Sequence, residues 1–145
     1  MTLRKRIGVM VPSTNTTFEA DFQLVAPRDV TIHGQRLWLT NGDEGAAGMD
    51  RMNAEIESGA KYLATANVNV VAYGCTTGSF YRGPGYDHDM LQTISKAAGV
   101  PAVAAAPAVV DSVTSVRAAC RSRHHIPIGT TSGCAPTSRP RASRC

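Results

Sequence analysis

Acidic residues after Asp111, long apolar runs and paired cysteines are what this chain lacks, and each absence narrows what it does. No apolar run approaches the roughly 18 residues that a membrane-spanning helix needs, so no membrane partner is expected. The first apolar run, Ile7 to Val11, is too short for a signal-peptide core and leads into Pro12 without a small-residue cleavage site. A cytoplasmic location is the expectation. The four cysteines, Cys75, Cys120, Cys134 and Cys145, form no CxxC pair and keep no metal-ligand spacing with histidine. Neither a disulfide framework nor a metal site is indicated. Acid stops at Asp111: residues 1–120 carry 10 Lys and Arg against 11 Asp and Glu, whereas residues 121–145 carry five Arg and no acid. The formal net charge of +4 therefore describes a tail and not a domain. That tail has no lysine and no aromatic side chain on which a base could stack, so no nucleic-acid partner is expected.

What is present is the grammar of an α/β fold. Lys5 to Val11 reads as a strand ended by Pro12. Ser13-Thr14-Asn15-Thr16-Thr17 follows, any of which can cap a helix, with Glu19 and Asp21 in the first turn where the dipole favours acids. That helix continues through Phe18, Phe22 and Val25 and stops near Pro27. Val30 to Leu39 is a second strand, whose His33 has no assigned role. Asp43-Glu44 stand near a helix start, and Met49, Met52, Ile56, Ala60 and Leu63 recur at helical spacing, predicting one helix to about Ala66. Val68 to Tyr73 is a strand buried on both faces. Asp87 or Asp89 opens a helix that Gly99 closes. Val100 to Ala106 is a short strand, and Pro107 starts a helix with an apolar face of Val109, Val110, Val113 and Val116, ending near Cys120. Alternating strands and helices predict an open, parallel, four-stranded sheet with flanking helices over residues 1–120. Residues 121–145 are expected to be a disordered basic tail. Within it His124-His125-Ile126-Pro127-Ile128 makes an edge strand at most, and adjacent histidines on a strand face opposite ways.

The stretch Val68–Gly85 carries the chemistry. Its apolar run stops at Gly74, and Cys75, Thr76, Thr77, Gly78 and Ser79 follow. In a parallel sheet this loop opens at the carboxyl edge, where open α/β sheets place ligands. A thiol among hydroxyls and free backbone N–H groups suits a carboxylate. The competing reading is that Cys75 is a small hydrophobe closing a strand.

Three segments together resemble a known family. Ile7-Gly8-Val9-Met10-Val11-Pro12-Ser13-Thr14-Asn15-Thr16-Thr17 resembles the first strand and substrate loop of maleate cis-trans isomerases. Tyr73-Gly74-Cys75-Thr76-Thr77-Gly78-Ser79 resembles their first catalytic-cysteine loop. Ser79-Phe80-Tyr81-Arg82-Gly83 is similar to a segment of arylmalonate decarboxylases, a sister branch of the aspartate/glutamate racemase superfamily. The resemblance spans about residues 4–120. It implies a two-lobe enzyme with a cysteine from each lobe facing a small carboxylate, and no metal or organic cofactor. Cys75 would add as thiolate to maleate, and rotation and elimination would give fumarate. Asn15 matches the carboxylate-binding asparagine, with Ser13, Thr16, Thr76 and Thr77 as further substrate-binding donors. Decarboxylases typically carry glycine at the first cysteine position, so Cys75 favours an isomerase or racemase.

The chain departs from that pattern by ending after one lobe. The expectation is a truncation or reading-frame disruption near residue 121, with activity impaired unless lobes pair between chains as a homo-oligomer. The other readings are a racemase or decarboxylase of the same superfamily, an inactive fragment, and a flavodoxin-like phosphate- or nucleotide-binding module. The last rests on the hydroxyl-rich loop after the first strand.

Overall fold

The computed structural model describes residues 5–40, 42 and 45–123. In chain order the elements are β1 (Lys5–Pro12), α1 (Phe18–Val25), β2 (Val30–Leu37), α2 (Gly45–Asn53), α3 (Ile56–Thr65), β3 (Val70–Tyr73), α4 (Thr76–Phe80), α5 (Tyr86–Ala98), β4 (Ala102–Ala104) and α6 (Ala105–Arg123). The four strands form one sheet in the order β2-β1-β3-β4, every neighbouring pair parallel. This is the open parallel sheet that the alternation predicts. The chain leaves β1 to build β2 on one side and returns to place β3 on the other, so the order reverses between β1 and β3. Doubly wound sheets bind ligands at such a crevice, beyond the carboxyl ends of the strands.

Side chains of β1 alternate between faces, and Val9, Met10 and Val11 are all fully buried, so helices cover both sides of this central strand. Met10 joins Leu37, Val71 and Tyr73 in a core sealed by Met52, Ile56, Ala60 and Leu63, and by Met90, Ile94 and Ala98 of α5. Gly59 brings α3 close to the sheet: a side chain there would lie 3.1 Å from Gln35 and 3.2 Å from Leu37.

Several expectations need correction. The single helix from Met49 to Ala66 is two, interrupted at Ala54 and Glu55. All five predicted apolar positions are buried, so the stripe is continuous although the helix is not. At the break Glu55 accepts the Trp38 N–H at 3.1 Å, and the Asn53 amide donates to Gly78 O at 2.8 Å and Tyr86 Oη at 3.1 Å. The loop after Cys75 contains a short helix, α4, that apolar periodicity cannot signal in five residues. Strand β4 is shorter than predicted, because α6 begins two residues before Pro107. Proline is tolerated there, since first-turn N–H groups have no intrahelical acceptor. Helix α6 continues to Arg123, past the predicted boundary at residue 120. Its predicted apolar face is open, with Val109, Val110 and Val113 all exposed. Gly99 closes α5 as expected, at φ 70°, its N–H bonded to Ser95 O at 2.8 Å. Asp43, Glu44 and the 124–145 tail, with its expected disorder and its histidine pair, lie outside the described residues.

Candidate active site

At the end of β3, Gly74 N–H still bonds to Met10 O of β1 at 2.8 Å. Cys75 then turns out of the sheet in an extended conformation and stands as the N-cap of α4. Its Sγ accepts the Gly78 N–H at 3.3 Å, the part a serine or aspartate oxygen commonly plays at a helix start. The thiol is half-buried. Ser79 is fully buried, its hydroxyl donating to Thr76 O at 2.7 Å, which pins the turn beneath the thiol. Thr76 and Thr77 are exposed, and among the described residues their hydroxyls have no hydrogen-bond partner.

The loop after β1 lies beside this one at the same sheet edge. Ser13 donates its hydroxyl proton to Leu39 O at 2.8 Å and accepts the Leu39 N–H at 3.0 Å. A hydroxyl has one proton to give, so Ser13 ties the loop to β2 and has no donor left for a carboxylate. Asn15 is arranged differently. Its Oδ1 accepts the N–H groups of Thr17 and Phe18 at 3.1 and 2.9 Å, which settles which end of the amide is oxygen. Its Nδ2 has no hydrogen-bond partner among the described residues, leaving two N–H donors at the start of α1. Thr16 is exposed. Arg36 of β2 secures the loop by donating to Ser13 O at 3.0 Å and Asn15 O at 2.8 Å, and its other nitrogen pairs with Glu19. The two loops meet where the Phe18 ring lies over Gly74: a side chain on Gly74 would come within 2.8 Å of three ring carbons.

Beneath Cys75 is a polar chain that sequence reasoning did not find. Buried Tyr73 donates to Asn53 Oδ1 at 2.6 Å, and Asn53 Nδ2 donates to Gly78 O at 2.8 Å and Tyr86 Oη at 3.1 Å. Tyr81 and Arg82 both bond to Asp50, with Arg82 Nε 3.1 Å from the carboxylate. The Arg82 guanidinium lies over the Tyr81 and Tyr86 rings, 5.6 and 5.4 Å from their centroids. The Tyr81 hydroxyl bond, aided by Arg82, holds the Asp50 carboxyl below the usual carboxylate range. Burial, then the neighbouring charge of Cys75, pushes Tyr73 well above the ordinary tyrosine range. Tyr73 reads in sequence as one more apolar strand residue and Asn53 as an ordinary helix residue, so neither carries a local signal. Among the described residues no three His, Cys, Asp or Glu side chains converge as metal ligands.

The family model described as arylmalonate decarboxylase matches residues 7–124. A maleate isomerase of Pseudomonas putida is 30% identical over 132 residues, covering 81% of this chain and 51% of that protein. The structure of the maleate isomerase of Pseudomonas putida S16 with maleate superposes with a TM-score of 0.66 at 26% identity, covering 76% of this chain and 48% of that one. The maleate cis-trans isomerase of Nocardia farcinica, solved with a covalently bound succinylcysteine intermediate, superposes with a TM-score of 0.68 at 23% identity, covering 78% and 49%. The chain thus spans about half the length of the curated relatives it matches.

Proposed function

Because this chain belongs to the arylmalonate decarboxylase family, we propose that it acts on a small dicarboxylate as a maleate cis-trans isomerase does, with Cys75 as nucleophile and Asn15 as carboxylate donor. The observation that carries this reading is a half-buried thiol at the switch point of the sheet, beside a loop whose asparagine amide has free donors. Thiolate is a strong nucleophile near neutral pH. Sγ of Cys75 forms a bond to one alkene carbon of maleate, and the π electrons move onto the adjoining carboxylate as an enolate. Asn15 Nδ2, with the Thr16, Thr76 and Thr77 hydroxyls beside it, would hold the carboxylates on which that charge develops. The former double bond is now single and rotates. Return of the electron pair expels the thiolate and leaves fumarate, with no net proton, electron or cofactor consumed. The succinylcysteine of the Nocardia farcinica enzyme is the protonated form of such an adduct, held in that protein on a fold of this kind.

The test is maleate-to-fumarate conversion followed by proton NMR for the full chain and Cys75→Ala, beside mass spectrometry for a succinyl group on the Cys75 peptide. We expect fumarate formation that Cys75→Ala abolishes, and a succinyl adduct at Cys75 that Asn15→Ala slows by about tenfold or more, the scale of losing one charge-assisted hydrogen bond. A folded chain that forms neither fumarate nor an adduct at Cys75 overturns the reading. Release of carbon dioxide from an arylmalonate in a parallel assay would instead identify the decarboxylase chemistry for which the family is named.

A further inference from the structure

Gly78 is held from two directions. Its N–H donates to Cys75 Sγ at 3.3 Å, and its carbonyl accepts from Asn53 Nδ2 at 2.8 Å. The first bond ties the sulfur to α4, and the second ties α4 to the last residue of α2. With five residues, α4 is too short to stand on its own backbone bonds. Gly78 O lies in its last turn, where carbonyls have no intrahelical N–H to accept, so the partner must come from elsewhere. Asn53 is that partner. A side chain on Gly78 would come within 2.4 Å of Tyr73 Oη, 3.0 Å of Met52 Cε and 3.1 Å of Cys75 Sγ. The α4 backbone therefore lies too close to α2 and β3 for any residue but glycine here.

The Asn53 carboxamide is itself fixed. Gly78 O can only accept, so the group facing it is the NH2, and the amide oxygen takes the Tyr73 hydroxyl at 2.6 Å. The NH2 also donates to Tyr86 Oη at 3.1 Å. Residues of β3, α4 and α5 thus meet on one side chain, and a flipped amide would set two oxygens against each other at Gly78. We infer that Asn53 is a positioning residue for Cys75: by holding the Gly78 carbonyl it keeps the Gly78 N–H on the sulfur and fixes where that sulfur stands. Its action runs through Gly78. A nucleophile attacks over a narrow range of distance and angle, so a sulfur free to swing loses rate while the substrate still binds.

The inference deepens the isomerase reading and rests on Cys75 being its nucleophile, but its deciding measurement needs no turnover. The full chain is prepared with isotopically labelled glycine, and NMR follows hydrogen exchange at the Gly78 amide and its response to alkylation of Cys75 by iodoacetamide. In wild type the Gly78 amide signal should move on alkylation, and a signal that stays put overturns the inference. Asn53→Asp keeps the acceptor for Tyr73 and sets an oxygen against Gly78 O. In that variant the Gly78 amide should exchange about two- to tenfold faster, the scale of one neutral hydrogen bond. Tyr86→Phe removes a different bond of Asn53 and should leave Gly78 exchange as it is. The Gly74 amide, held to Met10 O at 2.8 Å in the sheet, reports general loosening. Unchanged Gly78 exchange in Asn53→Asp, or an equal acceleration at Gly74, overturns the inference. Should Asn53→Asp fail to fold, the side-chain amides of wild type decide. The Asn53 NH2 should exchange more slowly than that of Asn15, which has no partner among the described residues, and equal rates overturn the inference. With maleate, Asn53→Asp should lower kcat about tenfold and leave KM nearly unchanged, whereas a raised KM at unchanged kcat would make Asn53 a binding residue instead. A chain that isomerises no maleate yet shows the amide effects keeps the inference and loses only the proposed reaction.

Discussion

Gly74 has no side chain, and the Phe18 ring occupies the place where one would be. A methyl there meets three ring carbons at 2.7–2.8 Å, so Gly74→Ala should destabilise by about 1–3 kcal/mol, the usual scale for overpacking. It should also push α1, with Asn15 at its start, away from Cys75. Urea denaturation of Gly74→Ala, Phe18→Ala and the double variant checks this. The double should lose clearly less than the sum of the singles, and strict additivity would show that the ring is not what excludes the methyl. A glycine before the cysteine is visible in the sequence, but the ring that requires it comes from a helix 56 positions earlier in the chain, so no local pattern announces the contact. The same holds for Asn15. Its place in a polar run suggests a cap, and it does bond to two N–H groups of the α1 start. Its other amide end is left with free donors, whereas the nearby Ser13 has none because its hydroxyl proton goes to Leu39 O.

Among the elements, the turn joining α4 to α5 is the one whose hold on the site depends on pH. Asp50 of α2 clamps it through Tyr81 and Arg82, and the carboxyl is held below the usual range by those partners. A carboxyl depressed in the folded state adds stability that is fully present above its unfolded value, about pH 4, and is lost as the pH falls through its folded value. Wild type should therefore melt above Asp50→Asn at neutral pH, with the gap closing as the solution is taken below about pH 4. A gap that stays constant on acidification would show that the clamp is not ionic. The interruption between α2 and α3 also belongs to this scale. The apolar stripe from Met49 to Leu63 was legible because spacing is a local property. The break was not, and the residues beside it, Glu55 and Asn53, bond to partners distant in the chain, Trp38, Tyr73, Gly78 and Tyr86.

Across the whole molecule, burial is uneven. The α5 side of the sheet is sealed, with Ile94 fully buried, whereas α6 leaves Val109, Val110 and Val113 open to solvent and lines an apolar cleft with Phe80 and Pro84. Ile94→Ala should cost about 2–5 kcal/mol, as deletions in a packed core do. Val110→Ala, at a site 63% exposed, should stay within about 0.5 kcal/mol. Denaturant midpoints for the two variants measure the contrast, and a loss of more than about 1 kcal/mol at Val110 would mean that this face is covered in solution.

The order of the four strands along the chain, the apolar stripe from Met49 to Leu63 and the two loops that carry Cys75 and Asn15 were all legible in the sequence itself. They depend on periodicity and on capping and turn chemistry, which act within a few residues. Tertiary structure alone decided which edge strand β2 became, that Ser13 is spent on Leu39 while Asn15 is not, and that Tyr73, Asn53 and Tyr86 form a chain beneath the thiol. These are pairings between residues 20 or more positions apart in most cases, made when β3 docks against β1 and α2 closes over α4. A hydrogen bond's direction is set by what its partner can donate or accept, and across such a separation the partner is known only once the chain has folded.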